Sequence, residues 1–176
     1  MRSWIPVPGT TTGRLVDAAL ELFGSQGFAP VGVGAIAERA GVTTGSLYHH
    51  FGSKAGLYRL VRTDVEHRVL DRLEGAAAAR PGQTVADLAP VLVVGFDYLV
   101  RSGYSRLLGE PWPEPSDPVD QPDEIERLLG RLLAADGPPM GALIAAAWRA
   151  ALLSASDGPD AALGARSALV RLLSGA

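Results

Sequence analysis

The chain contains no cysteine. Disulfides, thiolate zinc sites and cysteine nucleophiles are therefore excluded, and the absence fits a reducing compartment. Long apolar runs are missing too. The unbroken ones last only a few residues, far short of the roughly 20 that span a bilayer. The opening stretch MRSWIPVPGTTTGR carries nothing like the apolar core of a signal peptide. These absences lead us to expect a cytoplasmic protein with no membrane partner. Strand-like alternation and internal repeats are also lacking, which leaves no case for a sheet.

What is present is helical. The 176 residues are 47% hydrophobic, enough for one compact unit or a small domain fused to a second module. Leu15, Ala18, Ala19, Leu22 and Phe23 keep the helical period. Thr11 or Thr12 can cap that helix and Gly27 can end it. A second helix is expected over Val33 to Ala40, stopped by Gly41, and a short third helix from a cap at Thr43 to about Phe51. Ser53 is positioned to cap a long fourth helix toward Ala79. Thr84 and Asp87 resemble a capping box for a fifth, with Pro90 in its early turns. GEPWPEPSDPVDQP reads as loop. Further helices are expected from Pro122, over Met140 to Ala155, and over Asp160 to Leu173. The fold class is all-α.

Net charge is −3, unevenly placed. Residues 1–62 hold six basic side chains (Arg2, Arg14, Arg39, Lys54, Arg59, Arg62) against three acidic ones (Asp17, Glu21, Glu38), and the remainder is acidic. An N-terminal end that meets an anion would produce this pattern, as would chance. Within that end, two short helices flank a glycine turn. Ile36, Ala37, Ala40, Val42 and Leu47 can share one small core, which is the helix-turn-helix arrangement. His49 and His50 are adjacent, so on a helix they point about 100° apart and do not chelate as i, i+4 pairs do. No metal, cofactor or catalytic residue is expected.

LVDAALELFGSQGFAPVGVGAIAERAGVTTGSLYHHFGSKAGLYRLV, and AGVTTGSLYHHFGSK above all, resembles the DNA-binding domain of the tetracycline-repressor-like (TetR) family. The likeness runs through Ala18, Ala19, Leu22, Phe23, Gly27, Ile36, Ala37, Ala40, Gly41, Val42, Gly45, Leu47, Tyr48, His50, Phe51, Ser53, Lys54 and Leu57, covering roughly Thr11 to Val61. It implies a helix-turn-helix domain over residues 1–53, a helical regulatory and dimerisation domain over 54–176, and a regulator, most often a repressor, of a palindromic DNA operator. Tyr48 and His50 resemble the family's DNA-backbone contacts. Lys54 follows the cap Ser53 at the positive end of a helix, a poor place for a cation unless an anion such as a DNA phosphate sits there too. Thr43 can offer a hydroxyl to a phosphate, and Gly45 lets DNA come close. Thr44, Ser46 and His49 are the candidates for base edges, although His49 also suits plain solvent exposure.

The resemblance further implies a homodimer through the last two helices, where GALIAAAWRAALLSA is apolar on too many sides for a lone surface helix. Burial of both helices within one subunit is the alternative. A small-molecule effector, hydrophobic or aromatic, would sit among Phe96, Tyr98, Tyr104, Trp112, Met140 and Trp148, each of which also suits ordinary core packing. Two rivals stand beside this reading: a same-fold regulator switched by a partner protein or by nothing, and an all-α enzyme or carrier.

The sequence departs from the family where hydroxyls and cations are usual: Val31 and Gly32 open the second helix, Gly34 and Ala35 follow, and Thr12 stands where arginine is frequent. Fewer phosphate contacts should follow. Affinity for duplex DNA, measured against salt, should therefore fall with a log–log slope well below about eight.

Overall fold

The computed structural model describes residues 7, 9–80, 84–113, 123–133 and 139–175. Among them are the helices α1 (Thr11–Gln26), α2 (Val33–Ala40), α3 (Thr44–Phe51), α4 (Lys54–Ala79), α5 (Val85–Ser102), α6 (Ser105–Gly109), α7 (Glu124–Leu133), α8 (Met140–Ala155) and α9 (Pro159–Ser174), with no strand between them. The first three form a small unit at one end. Helix α4 leads from it into a bundle in which α5 lies against α4 and α9, and α8 packs on α6, α7 and α9. No helix among the described residues is long and apolar enough to cross a membrane.

Local chemistry accounts for most helix ends. Side-chain oxygens of Thr43, Ser53 and Thr84 accept from the backbone three residues on, satisfying amides that a helix start leaves unpaired. The capping box at Thr84 and Asp87 is formed. Three expectations need correction. The cap of α1 is Thr10, whose hydroxyl accepts from Gly13 N; neither Thr11 nor Thr12 serves, because both already lie inside the helix. Helix α9 begins at Pro159, a residue suited to a first turn because it has no amide hydrogen to leave unpaired. Helix α6 was not foreseen: at five residues it is too short to show a period. Pro122 lies outside the described residues, and α7 is capped instead by Asp123, whose Oδ1 accepts from Ile125 N and Glu126 N.

One apolar core runs through both parts. Leu15, Phe23, Ile36 and Leu47 fill the N-terminal unit, and Leu57, Val61, Val65, Val69 and Leu73 continue it along the inner stripe of α4. Phe96 and Trp148 are fully enclosed in the bundle. Trp148 Nε1 donates to Leu92 O at 3.0 Å, so its polar edge is satisfied, and its ring occupies the space that the absent side chain of Gly95 leaves open. Trp148→Ala should therefore cost about 3–5 kcal/mol, and Trp148→Phe clearly less. Calorimetric unfolding of the two variants provides the measurement.

Candidate nucleic-acid interface

The turn between α2 and α3 is built by Gly41, whose φ of 63° lies in the left-handed region that glycine adopts without strain. Gly41 N donates to Glu38 O and Val42 N to Ala37 O, which closes α2 and aims the chain into α3. Thr43 accepts from Ser46 N at 3.3 Å, and its hydroxyl lies 3.1 Å from that of Ser46. Leu47 is the anchor of α3, fully buried beneath it. With that side fixed, Thr43, Thr44, Gly45, Tyr48, His49 and His50 are exposed and Ser46 is half-buried. Tyr48 keeps 53% of its surface open, an unusual exposure for so large a ring. The imidazoles of His49 and His50 meet edge to face at 5.0 Å. Among the described residues no cluster of three histidines and carboxylates could hold a metal.

Lys54 behaves differently from the expectation placed on its ammonium. Instead of pointing out to an anion, Nζ donates to Phe28 O and Val31 O, each at 3.0 Å, and lies 4.0 Å over the Phe28 ring. A cation at the positive end of a helix does need negative partners. The carbonyls of the α1–α2 connection supply them from 23 and 26 residues away. Arg14, although exposed, donates to Gly41 O at 3.4 Å, and Arg39 pairs with Glu21 at 2.6 Å.

The six residues expected around an effector do not gather at one place. Phe96 and Trp148 belong to the core. Tyr98 lies under the Arg72 guanidinium at 3.8 Å and, with Tyr104, faces Arg68. Met140 is half-buried at the start of α8. Trp112, 47% exposed, lies 4.3 Å over Arg62 and edge-on to Tyr58 at 6.2 Å.

Beneath Trp112 is a polar cluster that the sequence reading missed. Arg62 is only 2% exposed. Its Nη1 donates to Glu110 O at 2.7 Å and Tyr58 Oη at 3.2 Å, and its buried Nε has no partner among the described residues. Burial pushes its guanidinium down from the ordinary arginine range. Glu66, one turn on, is raised above the usual carboxylate range by burial first and by Asp123 second, against the opposing pull of Arg149, Arg62 and His67. Arg149 donates to Leu108 O at 2.9 Å and pairs with Asp123. The available signal was an Arg–Glu pair at i, i+4 on the apolar side of α4, where charge is unexpected.

Residues 15–61 match the family model described as bacterial regulatory proteins, tetR family. The transcriptional regulatory protein RaaS of Mycobacterium tuberculosis is 39% identical over 98 residues, covering 53% of this chain and 45% of that protein. The regulator AcrR of Shigella flexneri is 32% identical over 100 residues, covering 57% and 46% respectively. The chain thus spans less than half the length of these curated relatives. Among solved structures, a proposed tetR family transcription regulator from Shewanella sp. PV-4 superposes over 94% of this chain and 97% of its own, with a TM-score of 0.66 and 25% identity.

Arg62, Glu66, Asp123 and Arg149 lie outside the residues matched by that family model, and their electrostatics can be tested separately. Glu66 holds its proton more tightly folded than unfolded, so stability falls as pH rises from the ordinary value near 4.5 through the raised one. Glu66→Gln should therefore melt a few degrees higher than the parent at pH 7, with the gain gone at pH 4; melting curves across that range check it.

Proposed function

We propose that the chain is a DNA-binding transcriptional regulator of the tetR family of bacterial regulatory proteins, acting as a homodimer on a palindromic operator. The observation that carries this reading is α3: a short helix anchored by buried Leu47, with seven small, polar or ring-bearing residues left on its open sides. One α-helix fits the major groove of B-DNA. Thr43, Tyr48 and His50 hold phosphates, Thr44, Ser46 and His49 face base edges, and Gly45 lets the duplex approach. Lys54 contributes in two ways. Its ammonium braces the α1–α2 connection, and its backbone amide, unpaired at the first turn of α4, is left for a phosphate. Residues 1–53 form the DNA-binding part and 54–176 the regulatory and dimerising part.

The dimer uses α8 and α9. Leu143 is 59% exposed and shares an outward stripe of α8 with Ala146, Ala150 and Ser154, while Leu163 and Leu172 stand exposed on α9. Two such helix pairs make a four-helix seam. The sign we assign is repression, relieved by a small hydrophobic or aromatic molecule whose differential affinity for two states supplies about 1–3 kcal/mol of coupling. Half-exposed Trp112 above buried Arg62 is the feature that supports a ligand at this end of the bundle. A regulator of the same fold without a small-molecule switch is favoured by one observation, that Phe96 and Trp148 fill core space. Operator release by an aromatic compound decides between them. No reaction and no cofactor is assigned, and the place of action is the cytoplasm.

Selection of duplexes from a random pool should enrich a palindrome, and failure to enrich one would overturn the proposal. Leu143→Glu should turn the dimer into a folded monomer and weaken operator binding about 100-fold through lost bivalency, read by sedimentation and duplex titration.

A further inference from the structure

Glu110 is the C-cap that follows α6, and this residue bonds in three directions. Its carboxylate Oε2 accepts from Phe28 N at 3.1 Å, in the connection between α1 and α2. Its backbone O accepts from Arg62 Nη1 of α4 at 2.7 Å. Its Oε1 lies 3.5 Å from Arg106 Nη1, and Arg106 Nη2 lies 3.8 Å from Asp157 in the turn between α8 and α9. Gly27 makes the contact feasible: its φ of 82° suits glycine, and a side-chain carbon there would collide with the Glu110 carboxylate. A second contact lies alongside, where the Cα of Gly24 in α1 sits against the carbonyl of Gly103 before α6, again with no room for a side chain. Two separated contacts between α1 and the α6 region fix an angle, which one contact alone would leave free to pivot.

We infer that Glu110 is a positioning residue for operator specificity: it holds the α1–α3 unit at a set angle on the bundle and thereby fixes the half-site spacing that the dimer accepts. The inference rests on the dimeric reading given above. In such a dimer the separation of the two α3 helices is set by how each N-terminal unit sits on its own bundle, and the bundle is joined to its partner by α8 and α9. Glu110 connects these two ends: Arg106 and Asp157 on the dimer side, Phe28 on the reading side. Adding one base pair between half-sites shifts one by about 3.4 Å and turns it by about 35°. A rigid pair of reading helices rejects such a site, whereas a pair released at the Phe28 contact adapts to it.

The experiment uses the full chain and a series of palindromes built from the selected half-sites, with spacers shortened or lengthened by one and two base pairs. The parent should prefer its own spacing by about 100-fold over a one-base-pair change. Glu110→Ala should narrow that preference to about tenfold or less, with affinity for an isolated half-site unchanged. Glu110→Gln, whose amide oxygen can still accept from Phe28 N, should keep the parental preference. Glu110→Asp retains the charge but is one methylene short, and it should behave like alanine; it serves if Glu110→Ala does not fold. Hydrogen exchange at the Phe28 amide should quicken in the alanine and aspartate variants and not in the glutamine one. Parental spacing preference in both the alanine and aspartate variants, or equal relaxation in the glutamine variant, overturns the inference. A parent chain that prefers no palindrome at all overturns the dimeric reading, and the spacing claim falls with it.

Discussion

The peptide of Phe28 is held from both sides by charge. Its N–H donates to the Glu110 carboxylate, and its C=O accepts from the Lys54 ammonium. A part-buried backbone group without a partner costs roughly 1–3 kcal/mol, and charge-assisted partners are about twice as strong as neutral ones. This single residue therefore joins three pieces distant in sequence: the α1–α2 connection, the start of α4 and the end of α6. Its ring extends the junction, meeting Phe23 at 6.0 Å and Tyr58 at 4.8 Å, with Tyr58 in turn bonded to Arg62. The placement of α3 depends on that junction, because α2 and α3 hang from the connection that it braces.

The open face of α3 is modest in charge by comparison. No lysine or arginine lies on α3, and the nearby cations Arg14, Arg39 and Lys54 are each spent on intramolecular partners. Hydroxyls, free backbone amides and the two histidines remain. Such donors give direction more than attraction. The charge excess of the N-terminal segment therefore overstates the field that α3 presents, since Arg14, Arg39 and Lys54 hold intramolecular partners and Arg62 is buried under Trp112.

Legibility in the sequence followed the distance over which each interaction acts. Caps at Thr43, Ser53 and Thr84, the glycine turn at Gly41 and the stripe along α4 involve partners within a few residues, and spacing alone revealed them. The cap of α1 was misplaced by one residue because threonine occupies three successive positions and any of them could serve. Helix α6 escaped because five residues do not complete enough turns to show a period. The backbone partners of Lys54, Arg62 and the Glu110 carboxylate lie 23 to 82 residues away, and nothing local to these side chains names a backbone group so distant. The place of Lys54, just after the cap Ser53 at the positive end of α4, indicated that its ammonium needs a negative partner. That place pointed to the surface, whereas the side chain is used beneath it.

The same distinction bears on how such a fold can switch. The apolar core is continuous from Leu15 to Leu173, and close-packed interiors of that kind resist gradual deformation. Polar contacts at the junction are few and specific, so they can exchange partners without opening the core. Arg62 is buried, its Nε is unpaired among the described residues, and one of its two bonds goes to the backbone of Glu110, whose side chain holds Phe28. A group that satisfied Arg62 better would compete directly with Glu110 O. Loss of that bond would loosen the end of α6, and with it the carboxylate on the α1–α2 connection. The cost of burying a guanidinium whose two bonds go to a phenol and a backbone carbonyl is then what makes the contact reversible.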